Sequence, residues 1–341
     1  MIPIVAIIAA CLISLGVTAA MRRYALSRQL LDVPNERSSH TISTPRGGGV
    51  GIVAAMGGLA LTLPWLGSTS VSLALIFGVC GGFVAALGFL DDLGHVPAGW
   101  RLLGHFAAAT AAVWLAGGLP EVVVFGYLLP LGWIGHVLAV FIVVWMLNLF
   151  NFMDGIDGLA GVEAALSGAI GGLLIVAFAG MRHEAFWLFA VAAAAVGFLK
   201  WNWPPAKIFM GDAGSGFLGF IFGIAPILAA RIAPALFWVM LIIPGVFVVD
   251  ATVTLVRRLL RGLRPHVAHR SHAYQYASRI YAGHRAVTIV CGLLTACWCG
   301  PLAWCVASGR LDGALAVLVT YTPLIGLALI HKAGAPELQG R

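Results

Sequence analysis

Polar groups are scarce in this chain, so those that recur at fixed spacing stand out. In the string NLFNFMDGIDGLAG, Asn148, Asn151, Asp154 and Asp157 recur every third residue. On a 3.6-residue helix each is set back about 60° from the one before, so neighbouring pairs cooperate. All four share a face only if Gly155 and Gly158 break the helix. Core packing does not account for four amides and carboxylates in such apolar surroundings. A second string, NWPPAKIFMGDAGSG, ends a helix at Pro204 and Pro205 and frees the backbone at Gly211, Gly214 and Gly216. A turn of that kind presents N–H groups to a phosphate at a helix start. Asp212 within it suits Mg²⁺, which keeps most of its waters and takes one or two carboxylates beside substrate phosphates. The turn lacks the strand and the GKS/T of a P-loop.

Two further clusters carry charge. In GFLDDLG, Asp91 and Asp92 point to different faces of a helix, so at most one is a primary ligand and the other a neighbour or base. In RRLLRGLRPHVAHRSHAYQ, His266, His269 and His272 are three apart, but no cysteine or HExxH accompanies them and Arg270 between them repels a cation. Imidazoles beside a guanidinium suit a diphosphate instead. Arg257, Arg258, Arg261 and Arg264 read as a topology signal or a contact with anionic headgroups. A first loop, LLDVPNERSSHTISTPRGGGV, holds Arg37, His40 and Arg46 among Pro34, Pro45 and three glycines, and reads as an ordered polar turn.

The elements that must position these groups are membrane helices. Hydrophobic residues make up 61% of the chain and charged ones 10%, against about 25% charged in a soluble domain, and the mean hydropathy is +0.98. Disorder is excluded by the same figures. About eleven runs qualify as spans: Ile2 to Ala20, Val50 to Leu66, Val71 to Leu90, Leu102 to Ala116, Ile134 to Leu149, Leu159 to Ala179, Ala185 to Leu199, Gly216 to Ala230, Ala235 to Val256, Ala286 to Val306 and Ala314 to Ile330. Glu121 to Pro130 is too short to span and reads as an external hairpin. Arg22 and Arg23 follow the first run and nothing basic precedes it, so it reads as a retained anchor with its N-terminus outside.

From that start only Arg182, Arg231 and Arg310 fall outside, and every other Lys and Arg faces the cytoplasm. This asymmetry explains the net charge of +7 without nucleic acid. The expected fold is an all-α polytopic membrane protein with the C-terminus cytoplasmic. It forms one unit over 1–341, with a catalytic face built from loops 21–49, 91–101, 150–158, 200–215 and 257–285. The six cysteines form no CxxC pair and lie in apolar runs, where cysteine packs as a small hydrophobe.

From residue 32 to 272, the strings DVPNERSSHTISTPRGGG, GFLDDLG, NLFNFMDGIDGLAG, PAKIFMGDAGSGFLG and HRSH, in that order, resemble the polyprenyl-phosphate N-acetylhexosamine-1-phosphate transferases. That family starts enterobacterial common antigen, teichoic acid and O-antigen synthesis and is more distantly similar to the peptidoglycan translocase. The resemblance implies a bacterial inner-membrane enzyme that moves sugar-1-phosphate from a UDP-N-acetylhexosamine to polyprenyl (undecaprenyl) phosphate and releases UMP. It implies Mg²⁺, with Mn²⁺ as a substitute, on Asn151 and Asp212. Phe209 stacks on uracil with Asp157 near it, and Arg270 and His272 hold the diphosphate. Asp91 is the base or the partner of the lipid phosphate, with Asp92 and Asp154 as the other catalytic carboxylates. Asn148, His40 and Lys207 complete the candidate substrate contacts. Membrane lipids and a second copy of the chain are the implied partners.

The chain departs from the family twice. His95 stands where DDxxD has its last acid, and HRSHAYQ replaces DRxHxHH, with His269, Tyr274 and Gln275 for an acid and two histidines. The second variant resembles the O-antigen-initiating subgroup. With fewer imidazoles to bond a 6-hydroxyl, it points to a 6-deoxy sugar such as N-acetylfucosamine or N-acetylquinovosamine, ahead of N-acetylglucosamine. Pro244 and Gly245 should kink the ninth span, which in the family borders the lipid's path, with Asp250 further along it. A transporter or lipid flippase is the competing reading. Against it, the acids gather at one membrane edge instead of the midplane.

Overall fold

The computed structural model describes residues 2–34, 42–94, 96–180, 182–263, 269–281 and 283–336. Arg37, His40, His95, Arg264 and His266 lie outside them. The helices are α1 (Ile2–Ser27), α2 (Val50–Thr62), α3 (Val71–Ala74), α4 (Gly81–Leu93), α5 (Ala98–Leu115), α6 (Gly132–Phe152), α7 (Leu159–Ala179), α8 (His183–Asn202), α9 (Asp212–Ala230), α10 (Pro234–Ile242), α11 (Gly245–Leu260), α12 (Ala273–Ile280), α13 (His284–Leu294), α14 (Gly300–Ala307) and α15 (Gly313–Ile330). π turns at Leu75–Cys80 and Thr295–Cys299 join α3 to α4 and α13 to α14 into single spans.

The expected runs fall mainly on helix, α2 stopping at Thr62 before its run ends and the run Ala235 to Val256 breaking between α10 and α11, and the chain is an all-α polytopic membrane protein. Among the described residues eight helical segments are long and apolar enough to cross a bilayer unaided. The pair α10 and α11, bent by 68°, would make a ninth. The bend falls at Pro244, where proline can donate no hydrogen bond to the helix and its ring crowds the preceding turn. Two expected runs fall short of that standard: α2 has 13 residues, and α5 begins with the polar turn around Arg101.

Small strands tie the loops. β1 (Leu31–Asp32) pairs antiparallel with β2 (Thr44–Pro45) and closes the first polar loop. β3 (Val122–Val124) and β4 (Tyr127–Leu129) form the expected hairpin. Its two-residue turn has positive φ at both Phe125 and Gly126, which matches the right-handed twist of the strands.

The bundle is built around α9, buried at every residue from Ala213 to Ala230. α6, α4 and α10 pack along it, while α8 carries α1 and α7 on its flanks. Glycines let these backbones touch. A Cβ on Gly88 would stand 2.4 Å from the Asp212 carbonyl oxygen, and one on Gly49 would stand 2.4 Å from the Gly214 Cα. The first loop also pairs with the string before α9: Phe209 N–H donates to the Pro45 carbonyl at 2.8 Å, and Gly48 and Gly49 N–H donate to the Phe209 and Met210 carbonyls at 2.8 and 2.9 Å. Sequence-distant loops are thereby clamped at the head of α9.

This clamp predicts a contrast within one helix. Gly88→Ala should destabilise the protein by about 1–3 kcal/mol through overpacking, whereas Gly82→Ala, with nothing within 4 Å of its Cβ, should leave the melting temperature in detergent unchanged or slightly raised. Equal melting temperatures for the two variants would contradict the close approach.

Candidate active site

Carboxylates and amides meet at the first turn of α9. Asp92, near the end of α4, accepts from the Asp212 and Ala213 N–H groups at 3.2 and 3.3 Å and so caps α9 from another helix. Arg46 anchors it, with Nε 3.8 Å from its Oδ1 and an Nη2 bond to its carbonyl. Asp91, on a different face of α4, reaches the same region through other partners. It accepts from Val96 N–H at 2.8 Å and pairs with Arg101. The same Arg101 Nη1 lies 3.1 Å from Asp212 Oδ2, so one guanidinium bridges two carboxylates. On the other side Asn151 Nδ2 donates to Asp212 Oδ1 at 2.8 Å and to Ser215 Oγ at 3.1 Å.

These groups open onto a cavity of about 790 Å³ between α5, α6, α11 and α12. Asn148, Asn151, Asp154, Asp212 and His272 line it together. Helix α6 stops at Phe152, so Asn148 and Asn151 project from its last turns and Asp154 from the break that follows. The remaining wall divides by polarity. Arg101, His105, His269 and Gln275 continue the polar part, whereas Phe106, Phe141, Val144 and Trp145 form an apolar arm. Burial, followed by the charges of Asp212, Asp92 and Asp157, pushes the Asp154 carboxyl well above the usual range.

Other candidates stand apart from this cavity. Asp157 accepts from Ala206 N–H at 2.9 Å and sits 3.2 Å from His284 Nδ1, joining the two glycine-rich strings. Asn202 does the same from below, accepting from Gly158 N–H and donating to the Ile208 carbonyl, both at 2.9 Å. Phe209 lies on the first-loop clamp, and Lys207 Nζ is 5.9 Å from the Trp201 ring. Arg270 lines a separate basic pocket with Arg279 and Lys332. His40 lies outside the described residues. Glu163, buried in α7, has its oxygens taken by the Ser167 and Thr295 hydroxyls at 3.1 and 2.8 Å. Sequence reasoning missed Arg101, Asn202 and the capping role of Asp92. An arginine ten residues after an acid pair, at a helix start, was the available signal for the first.

The two roles of the acid pair separate by experiment. Asp92→Ala leaves two α9 amides without their acceptor and should cost about 1 kcal/mol of stability, read as a lower melting temperature in detergent. Asp154→Asn, which removes a carboxylate from a crowded acidic wall, should not lower it. A lower melting temperature for Asp154→Asn alone would reverse the assignment.

Comparison with known proteins identifies the family. The model of glycosyl transferase family 4 matches residues 70–230. The chain is 29% identical over 299 residues to a probable undecaprenyl-phosphate N-acetylglucosaminyl 1-phosphate transferase of Bacillus subtilis, covering 85% of this chain and 81% of that protein. It is 30% identical over 340 residues to a decaprenyl-phosphate N-acetylglucosaminephosphotransferase of Mycolicibacterium smegmatis, covering 88% and 80%. Against the undecaprenyl-phosphate alpha-N-acetylglucosaminyl 1-phosphate transferase of Escherichia coli K12 it is 29% identical over 269 residues, covering 76% and 71%. Relatives that span most of both chains, one at 30% identity, set the family: the chain belongs to the polyprenyl-phosphate N-acetylhexosamine-1-phosphate transferases of glycosyl transferase family 4.

Proposed function

We propose that the chain transfers N-acetylhexosamine-1-phosphate from a UDP-N-acetylhexosamine to undecaprenyl or a related polyprenyl phosphate. UMP leaves, and the lipid-linked diphospho-sugar begins a surface polysaccharide such as O-antigen. The observation that carries this reading is one cavity with two characters, polar around Arg101, Asn151 and Asp212 and apolar along Phe106, Phe141 and Trp145. A water-soluble diphosphate and a lipid phosphate need such a meeting place. In this reading eleven spans run from an outside N-terminus, and the cavity opens at the cytoplasmic edge of the bacterial inner membrane. The positive-inside distribution of Lys and Arg supports that orientation. A transporter is less well supported, because these polar groups converge on one cavity built at helix ends.

The donor set suits Mg²⁺. Among the described residues no three His, Cys, Asp or Glu side chains gather as a metal cage. Asp212 has a carboxylate and Asn151 an amide oxygen on the cavity wall, hard donors beside space for substrate phosphates, the arrangement Mg²⁺ prefers over an all-protein cage; an ion there would displace Asn151 Nδ2 and Arg101 Nη1 from the Asp212 oxygens. When bound there, Mg²⁺ or Mn²⁺ would neutralise diphosphate charge. The protein's own part is positioning and electrostatics, as in other phosphoryl transfers. Arg101 offsets the repulsion between the two anions, and the α9 cap fixes where Asp212 stands. Asp154 lines the cavity where the acceptor's phosphate would ionise, while Asp91 serves through its hold on Arg101. The acceptor's oxygen attacks the sugar-bearing phosphorus directly, and UMP is displaced.

For the sugar, the named relatives act on N-acetylglucosamine. Here Tyr274 and Gln275 stand in the wall, and the Tyr274 hydroxyl is engaged, donating to the Phe152 carbonyl at 2.9 Å. A wall with its hydroxyl turned away supports a 6-deoxy N-acetyl sugar.

Purified protein in detergent, given UDP-N-acetylhexosamine and polyprenyl phosphate, should release UMP, lose that activity in excess EDTA and regain it with Mg²⁺. Asp212→Asn should abolish turnover without unfolding. Full activity in EDTA would refute the metal, and no UMP from any donor would refute the reaction. Across a panel of UDP-N-acetylhexosamines, a strict preference for UDP-N-acetylglucosamine over its 6-deoxy relatives would overturn the sugar alone.

A further inference from the structure

Asp250 is an acid inside a membrane span that the reaction as described does not use. It lies in α11, past the 68° bend, and is only 6% exposed. A carboxylate so placed is costly unless every lone pair is met. Here all the partners but Thr254, which is on α11 itself, are supplied from beyond the long polar loop. Oδ1 accepts from Ala273 N–H at 3.0 Å and Thr254 Oγ1 at 3.1 Å, and lies 3.3 Å from His272 Nδ1. Oδ2 accepts from Tyr274 N–H at 3.0 Å. The carboxylate therefore holds the start of α12 and the imidazole of His272 in one grip.

What this does to His272 follows from its surroundings. The ring is stacked on His269, with centroids 5.0 Å apart, and on Tyr274, at 5.6 Å. Burial, with His272 and Arg258 nearby, pushes the His269 imidazole down to about 3, so this neighbour is a neutral plate. With its faces stacked and its Nδ1 edge against Asp250, the ring has its Nε2 edge left for the cavity that it lines. Which nitrogen of a histidine works is set by the bond that the other one makes.

We propose that Asp250 is a positioning residue for the phosphate chemistry: by taking Nδ1–H of His272 it dictates the ring's tautomer and aim, so that Nε2 addresses a phosphate oxygen of the bound substrates. In that tautomer Nε2 carries the lone pair, so it accepts a hydrogen bond from a protonated phosphate oxygen such as the P–OH of the acceptor's monophosphate. An alanine at 250 would supply no acceptor. An asparagine would keep the shape but could accept at one atom only, where the structure asks for acceptance at both oxygens. This role rests on the transferase reading for the identity of the phosphate, but not for the pairing itself.

Two measurements test it. The first is a double-mutant cycle on UMP release. Asp250→Ala should lower kcat by about 10- to 100-fold, the usual cost of losing the group that orients a working imidazole. In a His272→Ala background the same change should cost less than about twofold, because the group it acts through is already gone. Equal costs in both backgrounds would mean that Asp250 only holds α12 in place, and would overturn the proposal. The second needs no turnover. In protein labelled with ¹⁵N-histidine, the His272 resonances, identified by their loss in His272→Ala, should show a protonated, hydrogen-bonded Nδ1 that changes in Asp250→Asn. A wild-type His272 protonated only on Nε2, or shifts unchanged in Asp250→Asn, would also overturn it. Should Asp250→Ala not survive purification, Asp250→Asn carries both measurements. Absence of UMP release from the wild type would sink the reaction, and the nitrogen shifts would still decide the pairing.

Discussion

Two hydrogen bonds from the first amides of α9 to the Asp92 carboxylate set the geometry on which the rest depends. They bring a negative side chain to the positive end of a helix dipole, where the two attract most strongly. Because α9 is enclosed along its length, it cannot tilt or slide to accommodate a misplaced start. The glycines at 49, 88 and 214 bring the neighbouring backbones into contact around that start. Asp212, the first residue of the helix, is thus held to the accuracy of packed main chain instead of a loop. Misplacements of about 1 Å are enough to matter for catalysis.

Charge is arranged around this fixed point by sharing. Arg101 serves Asp91 and Asp212 at once, and Asn151 ties Asp212 to Ser215. Asp91, Asp92 and Asp212 are each met by a cation, an amide or a backbone N–H, which is what burial at a membrane edge demands. The arrangement also leaves the cavity wall with both signs, so an approaching phosphate finds a cation that is already placed. The apolar arm begins directly beyond, at Phe106 one residue after His105. Charged and greasy surfaces therefore meet within a single helical turn of α5.

Most of the frame is legible in the sequence because it rests on local signals: apolar run length, the Pro204–Pro205 stop, the Pro244 bend and the glycine breaks at 155 and 158. The grouping of Asn148, Asn151, Asp154 and Asp212 is legible too, since so many polar groups in an apolar chain need a common purpose. What could not be read depends on contacts between residues far apart in the chain. Nothing local distinguishes Asp91 from Asp92; the difference is that one meets Arg101 and the other meets α9. Arg270 and His272, two residues apart in the chain and grouped at the diphosphate by the resemblance, line different pockets. The sequence places Asp250 only as a residue further along the bent span, because its partners at 272–274 are distant in the chain and no periodicity encodes the pairing.

That last arrangement bears on how the protein is made. The carboxylate of Asp250 burdens the half-span α11 with charge, and charged residues inside a span are the ones that membrane insertion tolerates least. Its neutralising amides and imidazole belong to residues that leave the ribosome about twenty positions later, at a synthesis rate of roughly 5–20 residues per second. For that interval the half-span has only Thr254 from this set of partners, so the grip on its carboxylate can close only once residues 272–274 have been made. The stretch of chain that completes the cavity wall at 272–275 is thus also the one that satisfies the acid of the neighbouring span.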